Sequence, residues 1–221
     1  LHDYNPDYTS EDLLCLYMLT GGVAGYVAQL MDAGATTREG MLKWVTGIGS
    51  PFLSEGREMI MSEFGKDYAN YLSILQLIAG GMTTQNQIDT IIGKNTGTYL
   101  KNLDEDYNYV SKLHPLFSKP GGRNVKWCIE DCFLRFWFRF VLPNQALVEM
   151  ERNDLLLEIV LRDYNDYTGA VLEQYFRQKI SEEDRVTRVG RYWDRKGLNE
   201  IDIIALNEID KTALVAEVKR N

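Results

Sequence analysis

Histidine and cysteine are scarce. The 221 residues hold two histidines, His2 and His114, and three cysteines, Cys15, Cys128 and Cys132. Two histidines exclude a histidine-built metal centre. Three cysteines are too few, and odd in number, for a disulfide scaffold, and Cys128 and Cys132 lack the CxxC spacing of a zinc ribbon. They are expected to be small buried apolar residues in a reducing cytosol. No apolar run has the length that spans a bilayer and no secretory signal is visible, so a cytoplasmic protein with no membrane partner is expected. No GxxxxGK[ST] phosphate loop occurs, so the chain alone is not a P-loop ATPase. Positive charge is not in excess either. Lys and Arg number 24 against 32 Asp and Glu, a net charge of −8. That excludes a uniformly basic nucleic-acid binder but leaves room for a locally basic one.

What is present is ordinary globular composition, 45% apolar and 25% charged. The length suits one large domain or two to three small ones. The chain opens at Leu1 rather than Met and is expected to be part of a longer protein.

Charge divides the chain into three. Residues 1–65 hold 3 basic and 9 acidic residues, residues 66–126 hold 7 and 5, and residues 127–221 hold 14 and 18. The middle segment alone is net basic, a local hint about partners. The first segment reads as all helix: Ser10 as cap for 13–19, a break at Gly21-Gly22, then helices over 23–31, 37–46 and 52–64. In the second, Tyr71, Leu75 and Ile78 mark a buried helix. Thr84 caps another carrying Ile88, Ile91 and Ile92, and Asn95 or Thr96 starts a third with Leu100 and Leu103. Strands are expected over 109–113 and 125–129 around a turn-rich tip at 119–124. Three helices followed by strand, turn and strand is the winged-helix order, with a core of Tyr71, Leu75, Ile78, Ile88, Ile91, Leu100 and Leu103. The third segment opens with Phe133, Phe136, Trp137, Phe140 and Val141 at helical spacing, with Arg135 and Arg139 off that face and Pro143 closing it. Helices are expected over 146–160 and 168–180, then strands over 188–194, 200–206 and 212–219.

The last two strands carry the clearest chemical pattern. A hairpin centred near Ile209-Asp210 sets Asp202 opposite Glu217 and Glu200 opposite Lys219, and alternation puts Glu217 and Lys219 on one face. Two carboxylates about 4 Å apart repel by about 4 kcal/mol at an effective dielectric of about 20. A bound cation removes that repulsion. A lysine beside the ion can orient or deprotonate a water that attacks a phosphodiester. The plainer interpretation is a solvated hairpin with a Glu200–Lys219 cross-strand pair. Glu173, on the preceding helix, either pairs with Arg177 at i,i+4 or joins the carboxylates. Elsewhere, Lys94, Asn95, Thr98, Lys101 and Asn102 on the third helix of the basic segment, and Lys112, Lys119, Arg123 and Lys126 on the wing, are candidate DNA contacts. Asp104-Glu105-Asp106 opposes them, and winged helices also serve as protein-packing modules.

Four phrases together resemble the archaeal-type ATPases, a STAND/AAA+-like P-loop family also found in Bacteroides-type bacteria. They are Leu19 to Tyr26 (LTGGVAGY), Leu72 to Gly81 (LSILQLIAGG), Asp131 to Val141 (DCFLRFWFRFV), and Val189 to Trp193 with Glu200 to Ile203 and Glu217 to Lys219. The resemblance implies an α+β, multi-domain fragment. Residues 1–65 would be the helical lid of an ATPase, with no nucleotide site of its own, and 66–130 a winged helix. Residues 131–221 would be a helical linker and a truncated, restriction-endonuclease-like domain similar to PD-(D/E)xK nucleases. In the turn Gly22-Val23-Ala24, Ala stands where the family has Pro. By motif position Glu173, Asp202, Glu217 and Lys219 would be catalytic, with Mg²⁺ or Mn²⁺ on Asp202 and Glu217. Lys94, Lys101, Lys119 and Arg123 would hold DNA weakly, and ATP would act only through an upstream ATPase domain. The alternative is a non-catalytic, ATP-dependent regulator or scaffold whose C-terminal half binds DNA or a protein partner.

Overall fold

A computed structural model describes residues 7–119, 121–122 and 124–220. The chain divides into two compact units, one of residues 7–111 and 127–163, the other of 112–126 and 164–220.

The first unit begins with α1 (Ser10–Thr20), α2 (Ala24–Asp32), α3 (Arg38–Val45) and α4 (Pro51–Phe64). Between residues 7 and 64 the regular structure is helical throughout. The cap of α1 is Thr9, not Ser10 as the sequence suggested. Its hydroxyl accepts from the Asp12 amide and the Asp12 carboxylate reaches back to the Thr9 amide, both at 3.1 Å. Only Thr9 has an acid three residues on, so the reciprocal pair selects it. Gly21 ends the helix in the left-handed region at φ 59°.

After a short 3₁₀ turn, Gly65–Asp67, come α5 (Tyr68–Ala79), α6 (Gln85–Ile92) and α7 (Gly97–Glu105). Thr84 caps α6 with Gln87 in a capping box. Asp89 then accepts from the Thr96 amide at 2.7 Å and hydroxyl at 2.6 Å, fixing the turn into α7. Two three-residue strands follow, β1 (Ser111–Leu113) and β2 (Lys126–Cys128), and they pair. The Trp127 amide also bonds the Thr83 carbonyl at 2.7 Å. Tyr71, Leu75, Ile78, Ile88, Leu100 and Leu103 are buried as expected, but Ile91 is exposed. In an eight-residue helix only Ile88 lies on the inward stripe, and Ile91 falls beyond its edge.

The aromatic stretch is α8 (Cys132–Phe136), continued as a π-helical turn, Trp137–Val141, and a 3₁₀ turn, Leu142–Asn144. Pro143 does not stop the chain's helical course. It sits at the start of the 3₁₀ turn, where a missing N–H is tolerated, and α9 (Gln145–Glu149) follows. Phe133, Phe136, Trp137, Phe140 and Val141 are buried, and so is Phe138, off the expected stripe. Arg139 pairs with Asp163 at 3.3 Å, while the Arg135 guanidinium donates to the Ile129 carbonyl. The Trp137 indole N–H donates to the Leu53 carbonyl at 3.0 Å. Its ring lies where a Cβ on Gly56 would stand. Tyr26 stacks on Phe133 with centroids 4.9 Å apart, and Gly21 packs against Cys132.

The expected helices 146–160 and 168–180 are instead α9 and one long helix, α10 (Asn153–Ser181). The break falls at Glu151, whose φ is 53°. Thr168 does not start a helix, because its hydroxyl bonds back to the Tyr164 carbonyl at 2.8 Å and leaves the backbone ladder intact.

The second unit holds the C-terminal part of α10 and a three-stranded sheet, β3 (Arg188–Trp193), β4 (Glu200–Asn207) and β5 (Thr212–Ala216), in that spatial order. Both pairings in this sheet, β3 with β4 and β4 with β5, are antiparallel. The β4–β5 register is the one the sequence predicts, Ile203 opposite Ala216 through Asn207 opposite Thr212. β5, however, ends at Ala216, short of the expected Lys219. The β3–β4 register slips between Gly190 and Tyr192, so Arg191 faces the two residues Asp202 and Ile203. Leu116 packs against Gly190, and its amide bonds the Arg191 carbonyl at 2.8 Å.

Two glycines test this packing. Gly56→Ala should destabilise the chain by about 1–3 kcal/mol, because overpacking against Trp137 outweighs a helix-propensity gain of about 1 kcal/mol. Gly169→Ala, in α10 with open space around its missing Cβ, should stabilise by up to about 1 kcal/mol. Urea unfolding of both variants measures the two signs.

Candidate functional site

The second unit gathers opposite charges around β3 and β4. Glu173 extends from α10, and its Oε2 lies 2.8 Å from Arg191 Nη2 on β3 and 3.6 Å from Arg177 Nη1. Arg191 Nη2 also reaches Glu200 Oε1 on β4 at 3.3 Å, and Lys126 Nζ reaches the same oxygen at 2.8 Å. Lys126 further covers the Trp193 ring, 4.9 Å from its centroid. The Glu173, Arg177, Arg191 and Lys126 side chains are largely buried, at 19–23% exposure, so water screens these pairs only in part.

Asp202 has a different role. Its Oδ2 accepts the Val218 amide at 2.9 Å, taking over where the β4–β5 ladder stops. Two residues on, Arg220 donates to the Thr168 hydroxyl at 2.7 Å and lies over the Tyr164 ring. The segment after β5 is therefore held to β4 and α10 by side chains rather than by a strand pairing. Glu217 and Lys219 pair with each other at 3.2 Å and are well exposed, at 68% and 72%. The expected Glu200–Lys219 cross-strand pair does not form; Glu200 goes to Lys126 and Arg191 instead.

Burial is the largest influence on the Glu173 carboxyl and lifts its pKa above the ordinary 4.5. Arg191 opposes that rise, Asp202 adds to it, Arg177 opposes and Glu200 adds, leaving it raised. Glu173, Asp202 and Glu200 thus share one electrostatic neighbourhood.

Sequence reasoning named Glu173, Asp202, Glu217 and Lys219; the structure brings the first two together and leaves the Glu217–Lys219 pair on the surface. It missed Arg191, whose side chain joins the carboxylates. The available signal was an arginine in the interior of a strand, between Val189-Gly190 and Tyr192-Trp193. A divalent ion needs oxygen ligands converging on one point. Among the described residues no three Asp, Glu, His or Cys side chains do so. Glu173 and Glu200 face a guanidinium, and one Asp202 oxygen holds a backbone amide. The residues as arranged do not fit Mg²⁺ or Mn²⁺.

Of the candidate DNA contacts, Lys94 and Asn95 lie in the turn before α7, Thr98, Lys101 and Asn102 on α7, Lys112 in β1, Lys126 in β2 and Lys119 between those strands. Lys94 Nζ donates to Asn70 at 2.7 Å and lies over Tyr99, 5.0 Å from the ring centroid. Lys101 pairs with Glu105 at 3.5 Å, both exposed. Asn102 donates to the Tyr71 hydroxyl, and Asn95 accepts from the Gly97 amide. Thr98 and Lys119 are exposed. Arg123 lies outside the described residues. In the first unit a hollow of about 450 Å³ is bordered by residues including Lys43, Trp44, Gly49 and Ser50, without a carboxylate, and the Gly21-Gly22 turn does not border it. Among the described residues no helix is long and apolar enough to cross a membrane.

Comparison with known proteins adds two likenesses. Residues 137–221 match the family DUF234, described as archaea bacterial proteins of unknown function. The uncharacterized protein MJECL04 of Methanocaldococcus jannaschii is 28% identical over 229 aligned residues, covering 99% of this chain. The chain spans about half, 50%, of that relative's length. No solved structure matches.

The raised Glu173 pKa has a signed consequence. The folded state holds this proton more tightly than the unfolded chain, so its contribution to stability is full below about pH 4.5 and is lost as pH rises through the raised value. Glu173→Gln keeps the neutral form at every pH. The melting temperature of the variant minus that of the parent should therefore rise between pH 4 and pH 8, as read by thermal scans. A difference that stays flat or falls contradicts it.

Proposed function

We propose that this chain is the C-terminal portion of an ATP-dependent regulator that binds DNA without cutting it. The observation that carries this reading is the order α5–α6–α7–β1–β2, with the two strands paired, falling in the one net-basic segment of an acidic chain. That order is the winged-helix order, in which the third helix and the wing meet the duplex. By sequence, Lys94 and Lys101 belong to the stretch around α7, and Lys119 and Arg123 to the link between the two strands. A relative of twice the length leaves room for an upstream ATPase half, and the lid-like phrases of residues 19–26 fit such a neighbour. The carboxylate cluster supports the non-cutting half, since Glu173 and Glu200 face Arg191 rather than an open cation site.

The rival reading is a metal-dependent phosphodiesterase on Glu173, Asp202, Glu217 and Lys219. It is favoured by the β4–β5 register, which if continued one pair past Ile203–Ala216 would set Asp202 opposite Glu217, and by the bulge in β4 at Asp202 and Ile203. Such bulges often lie beside active sites.

Fluorescence anisotropy with a labelled duplex tests the first reading. Binding should weaken with salt, because phosphate contacts release counterions. Replacing Lys94, Lys101, Lys119 and Arg123 by Gln should flatten the salt slope by up to about four units and weaken binding to every sequence alike. Equal binding by the quadruple variant would make residues 68–128 a protein-packing module. Incubating the full-length protein, ATP and duplex with Mg²⁺ or Mn²⁺ should leave the DNA intact. Cleavage that disappears with Asp202→Ala and Lys219→Ala would establish the rival.

A further inference from the structure

We propose that Arg191 is the resident cation of the second unit's carboxylate cluster, standing where a divalent metal would otherwise be held and keeping the cluster metal-free. The inference rests on the non-cutting reading of that unit and gives it a cause.

The first support is geometry. A single nitrogen, Arg191 Nη2, lies 2.8 Å from Glu173 and 3.3 Å from Glu200. It thus bridges a carboxylate from α10 and one from β4, as a metal ion would. Charge is the second. Glu173, Glu200 and Asp202 carry three negative charges, and Arg191, Arg177 and Lys126 return three positive ones. Adding Mg²⁺ or Mn²⁺ beside Arg191 would put two extra positive charges into a cluster already balanced three against three, in a partly buried space where repulsion is several-fold stronger than in water.

The backbone supplies the third support. Where the β3–β4 register slips, one residue of β3 faces two of β4, and that residue is Arg191. The extra residue belongs to β4, so the bulge bends β4 at Asp202 and Ile203 and sets both against the single residue Arg191. Gly190 also lets Leu116 pack against β3 at the preceding residue, where a Cβ would collide with it. The strand is therefore shaped at the point from which the guanidinium leaves it. Lastly, Glu173 Oε2 and Arg191 Nε are buried with no aligned hydrogen bond. The guanidinium is held by charge rather than in the two-bond fork of an optimised arginine–carboxylate pair. A site built purely for stability would not leave those atoms unsatisfied; a cation standing in for another explains them.

Mn²⁺ titration of the 221-residue chain, by calorimetry and by loss of the free-ion EPR signal, tests this without DNA or ATP. The parent should show no saturable site tighter than about 1 mM. Arg191→Gln should gain one site at least about 10-fold tighter, and adding Asp202→Asn to that variant should remove it. Because glutamine leaves the carboxylates uncompensated, Arg191→Lys is the second variant; lysine keeps the charge but reaches one carboxylate at a time, so intermediate Mn²⁺ binding is expected. A parent that binds one Mn²⁺ as tightly as Arg191→Gln overturns the proposal. So does a folded Arg191→Gln with no gain, or an unfolded one accompanied by an Arg191→Lys that binds no better than the parent. Since no DNA is present, a failure of DNA binding leaves this result readable.

Discussion

Trp137 can be buried fully because residue 56 has no side chain. The indole occupies the volume a Cβ would claim, and its one polar atom is satisfied by a carbonyl of the same helix, at Leu53. An indole is the largest apolar body a core can take, but only where its N–H finds an acceptor. Around it, two of the phrases that carried the family resemblance turn out to be neighbours: Gly21 packs on Cys132, and Tyr26 stacks on Phe133. Their spacing in sequence is thus a record of packing in the first unit. That is reason to treat them as fold determinants before assigning them any contact with a nucleotide.

The second unit is governed by charge. Its carboxylates come from a helix and a central strand, and bringing them together without cations would cost several kcal/mol. The chain meets that cost internally, with Arg191, Arg177 and Lys126. The same residues that resemble a nuclease motif then have structural occupations: Asp202 receives an amide at the end of a ladder, and Glu173 anchors two arginines. Resemblance in motif position and readiness for chemistry are separable properties.

Much of the fold was legible because local rules decide it. Thr84 with Gln87, Gly21 at a helix end, and a short link between two alternating strands each have one favourable local solution. The β4–β5 register followed from the link alone. The rest depended on partners distant in sequence. Nothing near Thr168 shows that its hydroxyl will fold back on Tyr164 and let α10 run on. Alternation through Glu217 and Lys219 looks like strand, yet β5 stops at Ala216, where the Asp202 side chain takes over the next amide. Arg191 was invisible as a site residue because its carboxylate partners, Glu173 and Glu200, come from α10 and β4, and local periodicity says nothing of them.

The aromatic stretch from Cys132 to Val141 changes its winding halfway, from α to π. Its first half packs on α1, while its second half packs on α4 and α5. A uniform α-helix presents each residue about 100° on from the last, so one stripe faces one neighbour. The wider turn inserts a phase shift, and a ten-residue rod acquires two working faces at different azimuths. That is why Phe138 is as deeply buried as Phe136. It also makes the length of this stretch a dial. One residue fewer before the π turn would rotate that turn by about a quarter turn, carrying its working face away from α4 and α5.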